Sequence, residues 1–174
     1  ATGQHLFIST NCFAVGANTF RRSVAIRIPL EELKTYAALN YRSFNRTEVG
    51  SLKLATAAGD TMYIGTHQNT ASLRVFRWAD GADTYATKDF AVRLWQRGSS
   101  APGPDGRDWL GFVDGRVTAG WVEDGQPGFA WTSGTGEGFP RPNVRVAMLD
   151  YNAGTVTRQP HLWSESVAYA YPAA

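Results

Sequence analysis

The chain is poor in cysteine, in charge and in long apolar runs, and each shortage excludes a class of protein. Cys12 is the single cysteine among 174 residues, so no internal disulfide can form. No apolar stretch approaches the ~20 residues that a membrane-spanning helix needs. Charged residues make up only 18% of the chain, the net charge is +2, and no basic run exceeds Arg21-Arg22. This balance argues against nucleic acid as a partner.

The abundant residues indicate many short strands joined by tight turns. Aromatic residues make up 13% of the chain, and there are 18 glycines. The pair Asp-Gly occurs four times, and it suits two-residue hairpins because both residues tolerate a positive φ. These pairs begin at Asp80, Asp105, Asp114 and Asp124. One helix is expected over residues 30–39, because Pro29 favours a helix start and apolar residues follow at helical spacing.

A strand–loop–strand pattern occurs three times. Its two strands cover residues 6–10 and 23–28, then 62–66 and 72–77, then 129–133 and 143–148. Leu94-Trp95 and Leu162-Trp163 form a second echo, which predicts the same position in successive units. Repeats of roughly 40–50 residues with several strands each are typical of β-propeller blades.

The sequence therefore predicts an all-β, β-propeller-like fold with about three four-stranded antiparallel blades. The approximate units are 1–48, 49–96 and 97–164, and a further unit begins at 165–174. We expect this ring to be incomplete, so that another chain or missing sequence would complete the propeller. The alternative is a β-sandwich, which would explain the strands but not the repeats.

Long loops on one face are expected to carry any binding site, because rigid scaffolds hold functional loops. These loops follow Thr10, Thr66 and Thr132, and the connection at 97–116 joins them. The predicted ligand-binding residues in these segments are His67, Arg107, Trp109 and Arg141. His161 is a further predicted ligand-binding residue, because connections between successive blades open on the same face as the loop at His67. We expect no cofactor and no metal site, because the three histidines lack metal spacing, although calcium remains open.

Candidate catalytic residues come from a group of carboxylates. Several aspartates precede glycine and are explained by turns, which leaves Asp60, Asp108 and Glu123 as the candidates for acid or base. The glycine-rich segment at 133–138 resembles a nucleotide-binding loop, but Pro140 and Pro142 follow where such a loop needs a helix.

Four segments carry a resemblance to a known family. Residues 59–63, 73–78, 129–132 and 168–172 resemble a family of secreted bacterial β-propeller proteins that have no established activity. The resemblance implies a propeller fold and an extracytoplasmic or secreted location. It carries no catalytic residue over to this chain.

Two functions stay open. The first is a non-catalytic binding or scaffold module that recognises a protein or a glycan through one loop face. The alternative is a propeller-type hydrolase that acts on a glycan or an ester. A hydrolase needs two carboxylates, or a carboxylate and a histidine, in one pocket, whereas dispersed carboxylates would favour binding.

Overall fold

The computed structural model describes residues 1–35, 38–98, 100–101, 103, 105–108 and 114–174. Within these residues the chain forms three antiparallel sheets, none of them closed, and one short helix. The prediction of an all-β fold is therefore confirmed. No helix in these ranges is long and apolar enough to cross a membrane.

Each sheet is a meander in which strands that are neighbours in the sequence pair with each other. The first sheet contains β1 (His5–Phe13), β2 (Phe20–Pro29) and β3 (Arg42–Arg46), with α1 (Leu30–Thr35) between β2 and β3. The second contains β4 (Lys53–Leu54), β5 (Thr61–Asn69), β6 (Ser72–Ala79) and β7 (Ala86–Ala91). The third contains β8 (Val117–Glu123), β9 (Gln126–Ser133), β10 (Asn143–Asp150), β11 (Thr155–Arg158) and β12 (His161–Leu162), and both β11 and β12 pair with β10.

The second and third sheets meet along their first strands. Thr56, just after β4, forms a parallel bridge to Trp121 of β8. The Thr56 amide donates to the Gly120 carbonyl at 2.9 Å, and the Val122 amide donates to the Thr56 carbonyl at 3.0 Å. The two first strands are therefore side by side, and their starts open at the same end of the molecule.

The middle sheet is buried on both faces because apolar side chains occupy alternate positions on each side of its strands. Met62, Ile64, Phe76 and Trp78 pack towards the first sheet, against Phe7, Ala25 and Phe44. Tyr63, Leu73, Val75 and Phe90 pack towards the third sheet, against Phe129, Trp131 and Leu149. This double burial places the core in the two spaces between the sheets.

The outer faces of the first and third sheets are apolar but less completely covered. On the third sheet a separate cluster of Ala119, Ala130 and Val144 packs with Tyr169 of the C-terminal segment. On the first sheet Ile8 lies opposite Ile26, and Ile8 is 42% exposed.

Several sequence predictions need correction. The predicted long loop after Thr66 is wrong: β5 continues to Asn69, and only two residues separate it from β6. Similarly, β1 continues beyond Thr10 to Phe13, whereas a long loop does follow Ser133. The helix ends at Thr35, and residues 36–37 lie outside the described ranges.

The Leu-Trp echo does not mark one position in successive units. Leu94 follows the end of β7, whereas Leu162 lies inside β12. Trp95 is 1% exposed, whereas Trp163 is 45% exposed. Among the four Asp-Gly pairs, Asp124-Gly125 makes the two-residue hairpin that its sequence predicts, with φ values of 49° and 75°.

Candidate basic groove

Two adjoining cavities lie at the end of the molecule where β4 and β8 begin. Their volumes are about 370 and 300 Å³, and they share Ser51, Arg116 and Val117. Together they form what we call the basic groove. Its lining consists of Ser9, Thr10, Asn11, Gly50, Ser51, Leu52, Lys53, Thr66, His67, Trp95, Arg97, Gly98, Asp114, Gly115, Arg116, Val117 and Thr118.

His67 forms part of the floor of this groove. Its ring lies 4.6 Å from the Trp95 ring and 4.9 Å from the Trp131 ring, centroid to centroid. Both ring nitrogens are buried and have no hydrogen-bond partner in the described part of the chain. The Gly115 backbone is close enough to favour the protonated ring but does not complete a hydrogen bond.

Burial controls the charge of His67. Burial, and after it the positive charge of Arg97, lower the pKa of His67 to about 3, while Gly115 and Asp114 act in the opposite direction. His67 is therefore neutral at physiological pH. The floor of the groove adds no charge of its own.

Gly115 fixes the wall next to His67. A Cβ at this position would collide with the Trp95 ring, so the backbone can approach the indole only because residue 115 is glycine. Trp95 is almost fully buried and belongs to the core cluster between the second and third sheets. It therefore supports the groove and offers no stacking face to a ligand.

The rim of the groove is charged and mainly basic. Arg116 forms an ion pair with Asp114. Burial acts to raise the pKa of Asp114, but hydrogen bonds from Arg116 and the charges of Arg116 and Arg97 outweigh it, so the pKa is lowered. Arg97 and Lys53 make no salt bridge to the residues that the structure describes.

Asn11 holds the two ends of the groove together. Its Oδ1 accepts hydrogen bonds from the Ser51 amide at 3.0 Å and from Ser23 Oγ at 2.6 Å. Its Nδ2 donates to Ser51 Oγ at 3.2 Å. The first and second sheets are thereby joined beneath the groove, which fixes the hydroxyl-bearing Ser9 and Thr10 beside the basic rim.

The three predicted catalytic carboxylates do not line the groove. Asp60 precedes β5 and Glu123 ends β8, so both lie at the opposite end of their sheets from His67. Asp60 Oδ1 accepts from Thr61 Oγ1 at 3.0 Å. Asp108 lies in the connection between the sheets, where its Oδ1 accepts from the Ala101 amide at 3.0 Å.

Of the predicted ligand-binding residues that the structure describes, His67 alone lines the groove. The Arg107 side chain is exposed, 3.9 Å from the Asp105 carboxylate. Arg141 is exposed, and its carbonyl accepts from Asn143. Trp109 lies outside the described residues.

His161 belongs to a second cluster. Arg145 Nη1 lies 3.1 and 3.2 Å from the two His161 ring nitrogens, and the Phe139 ring is 5.1 Å from the His161 ring. Burial and the charges of Arg145 and Arg93 lower the pKa of His161 to about 4. The structure therefore places His67 and His161 in different surroundings.

Sequence reasoning missed the basic residues of the rim. Lys53 begins β4, and Arg116 directly precedes β8. The repeat pattern could have indicated them, because residues at the start of the first strand of each unit lie at the same end of a repeat structure. Among the described residues no group of three histidines, cysteines or carboxylates could hold a metal ion.

Comparisons of the chain with protein-family models, with curated proteins and with solved structures find no match.

Proposed function

We propose that this protein is a non-catalytic binding module that holds an acidic glycan in the basic groove. The observation that carries the proposal is the excess of basic residues in the lining of the groove. Among the described residues, the lining contains Lys53, Arg97 and Arg116 but a single carboxylate, Asp114. Arg97 and Lys53 have no acidic partner there. Basic side chains recognise ligand carboxylates through charge-assisted hydrogen bonds.

The shape of the groove supports a glycan, and not another protein, as the ligand. A protein interface usually buries about 800 Å² on each partner around an apolar centre. The groove is instead concave and rich in hydroxyl groups, with Ser9, Thr10 and Ser51 on its walls. Its two volumes, about 370 and 300 Å³, lie within the range of small-ligand sites.

The carboxylates support binding over hydrolysis. Glycosidases commonly use two carboxyl groups about 5–10 Å apart. The groove does bring a carboxylate, Asp114, together with a histidine, His67, but burial lowers the pKa of His67 to about 3, so this ring is a weak base at neutral pH. Asp114 is the one carboxylate on the described lining, and its ion pair with Arg116 helps to keep its pKa low. An acid with a lowered pKa is a poor proton donor at neutral pH.

We also propose that the three sheets are blades of a β-propeller that works outside the cytoplasm. The side-by-side first strands β4 and β8, and the middle sheet buried on both faces, support this architecture. The outer faces of the first and third sheets would then be covered by further sheets from another chain or from additional sequence. Native mass spectrometry tests this arrangement, and a well-behaved 19.0 kDa monomer with a closed structure would contradict it.

Calorimetric titration with an aldopentaouronic acid, a xylotetraose that carries one glucuronic acid, tests the binding function. We expect Arg97→Gln to raise Kd about tenfold, because one charge-assisted contact is lost. Arg107→Gln is the matched control, since Arg107 is an exposed arginine of the same connection that does not line the groove. Equal weakening by both variants, or no binding to the unsubstituted protein, would overturn the proposal.

A further inference from the structure

An exposed aromatic pair lies at the same strand end as the basic groove. Phe139 and Trp163 pack edge to face, with ring centroids 5.5 Å apart and an interplanar angle of 80°. Together with Gly136, Gly138, Pro140 and Glu165 they line an open cavity of about 670 Å³. Trp163 keeps 45% of its surface exposed. We call this the aromatic platform.

The platform is built on a rigid base. The Arg145 guanidinium lies 4.3 Å from the Phe139 ring centroid, and Arg145 is only 3% exposed. The stacked cation fixes Phe139, and Phe139 in turn supports Trp163. An indole that is held in place and half exposed offers a large apolar face at little entropic cost.

Gln96 connects the platform to the basic groove. Its side-chain amide donates to Glu137 Oε1 at 3.2 Å, and its carbonyl accepts from the Gly134 amide at 2.7 Å. Glu137 lies between the two glycines of the platform cavity, and Arg97 of the groove directly follows Gln96. A ligand that extends from the groove across Gln96 would therefore pass along the glycine-containing loop that lines the platform cavity.

We propose that the aromatic platform is a second subsite that stacks a neutral sugar ring of the oligosaccharide whose acidic group lies in the basic groove. This inference rests on the proposed function. The apolar face of a pyranose ring matches an indole face. Glu165 on the platform rim can accept hydrogen bonds from sugar hydroxyls, whereas it would repel a second carboxylate.

Chain length separates the two sites experimentally. Glucuronic acid alone carries only the acidic group that the groove would hold, whereas aldopentaouronic acid adds neutral xylose units that the platform could stack. We expect Trp163→Ala to raise the Kd for aldopentaouronic acid about tenfold, or about 1.4 kcal/mol, and to leave the Kd for glucuronic acid unchanged. Trp163→Phe keeps an aromatic face and should restore most of the affinity.

Tyr41→Ala is the matched control, because Tyr41 is also an exposed aromatic residue but lies next to the start of β3, away from the platform. It should change neither Kd. If Trp163→Ala leaves aldopentaouronic acid binding unchanged while Arg97→Gln weakens it, the platform is overturned and the groove stands. If neither probe binds the unsubstituted protein, the proposed function fails, and the platform fails with it.

Discussion

The two ends of the strands differ in how their charged residues are used. At the end opposite the groove, the carboxylates of Asp60, Asp80 and Asp150 have local structural partners. Asp150 accepts from the Ala153 amide at 2.9 Å, and Asp60 accepts from Thr61. At the groove end, by contrast, Arg97 and Lys53 have no acidic partner among the described residues. A charged side chain that is paired within the fold stabilises the fold. A charged side chain without such a partner is available to bind a ligand.

Asp80 shows the structural end most clearly. Its carboxylate accepts hydrogen bonds from Thr2 Oγ1, from His5 Nδ1 at 2.7 Å and from the Gln4 amide at 3.1 Å. Nearby, Arg27 Nη1 donates to the carbonyls of Ala79 and Ala82 at 3.1 and 2.9 Å. These contacts join the first sheet to the second at the end away from the groove.

The largest expected effect concerns the aromatic support under the groove. Trp131→Ala should lower the free energy of unfolding by about 3–5 kcal/mol, because it removes a fully buried indole that packs against His67 and Trp95. Urea denaturation measures this change. Trp163→Ala, at the exposed platform, should cost about 1 kcal/mol or less. Equal losses would mean that Trp163 is a core residue.

The next effect is a pH dependence that originates at His67. The pKa of His67 is about 3 in the folded chain and about 6.5 when unfolded, so the unfolded chain binds the extra proton between these values. Stability should therefore fall as the pH falls from 6.5 towards 3, with a slope of about 1.4 kcal/mol per pH unit from this residue. His67→Phe should remove that contribution. An unchanged slope in the variant would contradict the buried neutral state.

A smaller effect is expected at the structural end. Asp80→Asn should reduce stability by about 1–3 kcal/mol, because it weakens hydrogen bonds in a poorly exposed site. Burial acts to raise the pKa of Asp80, but the hydrogen bonds from Thr2, His5 and Gln4 outweigh it and lower the pKa. The contribution of the Asp80 carboxylate to the free energy of unfolding is thus present above pH ~4 and is lost as the pH falls through its folded-state pKa. Affinity for aldopentaouronic acid should not change; a loss of binding would break the division between the two ends.

The smallest effect concerns Lys53 in the second cavity. Lys53→Gln should raise the Kd for aldopentaouronic acid about threefold, since a half-exposed lysine contributes a weak, salt-screened attraction. Lys34→Gln, on the helix, is the matched control and should have no effect. In titrations at low and high salt, the difference in Kd between the two variants should become smaller as the salt concentration rises.

The sequence predicts strands more reliably than it predicts the site. Alternating apolar residues identify β5, β6, β9 and β10, because a buried strand needs that pattern wherever it pairs. Loop length is harder to predict from the sequence. The polar residue His67 favours a loop, whereas β5 extends through it. His67 is buried by Trp95 and Trp131, and these two residues come from distant parts of the chain. Only the tertiary arrangement brings them together.

The groove itself illustrates the same limit. Arg97, Lys53 and Arg116 are separated by tens of residues and form no motif. They meet because successive sheets begin at one end of the molecule. Among the described residues, Arg116 pairs with Asp114 there, whereas Arg97 and Lys53 have no acidic partner. The sequence also could not show that Asp60 and Glu123 lie at the opposite strand end from His67.

Backbone amide chemical shifts in a titration with glucuronic acid test the account most directly, because glycines mark both ends of the strands. Gly50, Gly98 and Gly115 line the groove, whereas Gly59, Gly125 and Gly154 lie in turns at the opposite end. We predict that the amide signals of the first three glycines shift with one common Kd and that those of the other three do not move. Shifts confined to the opposite end, or the same shifts with neutral xylose, would contradict an acidic-glycan site in the basic groove.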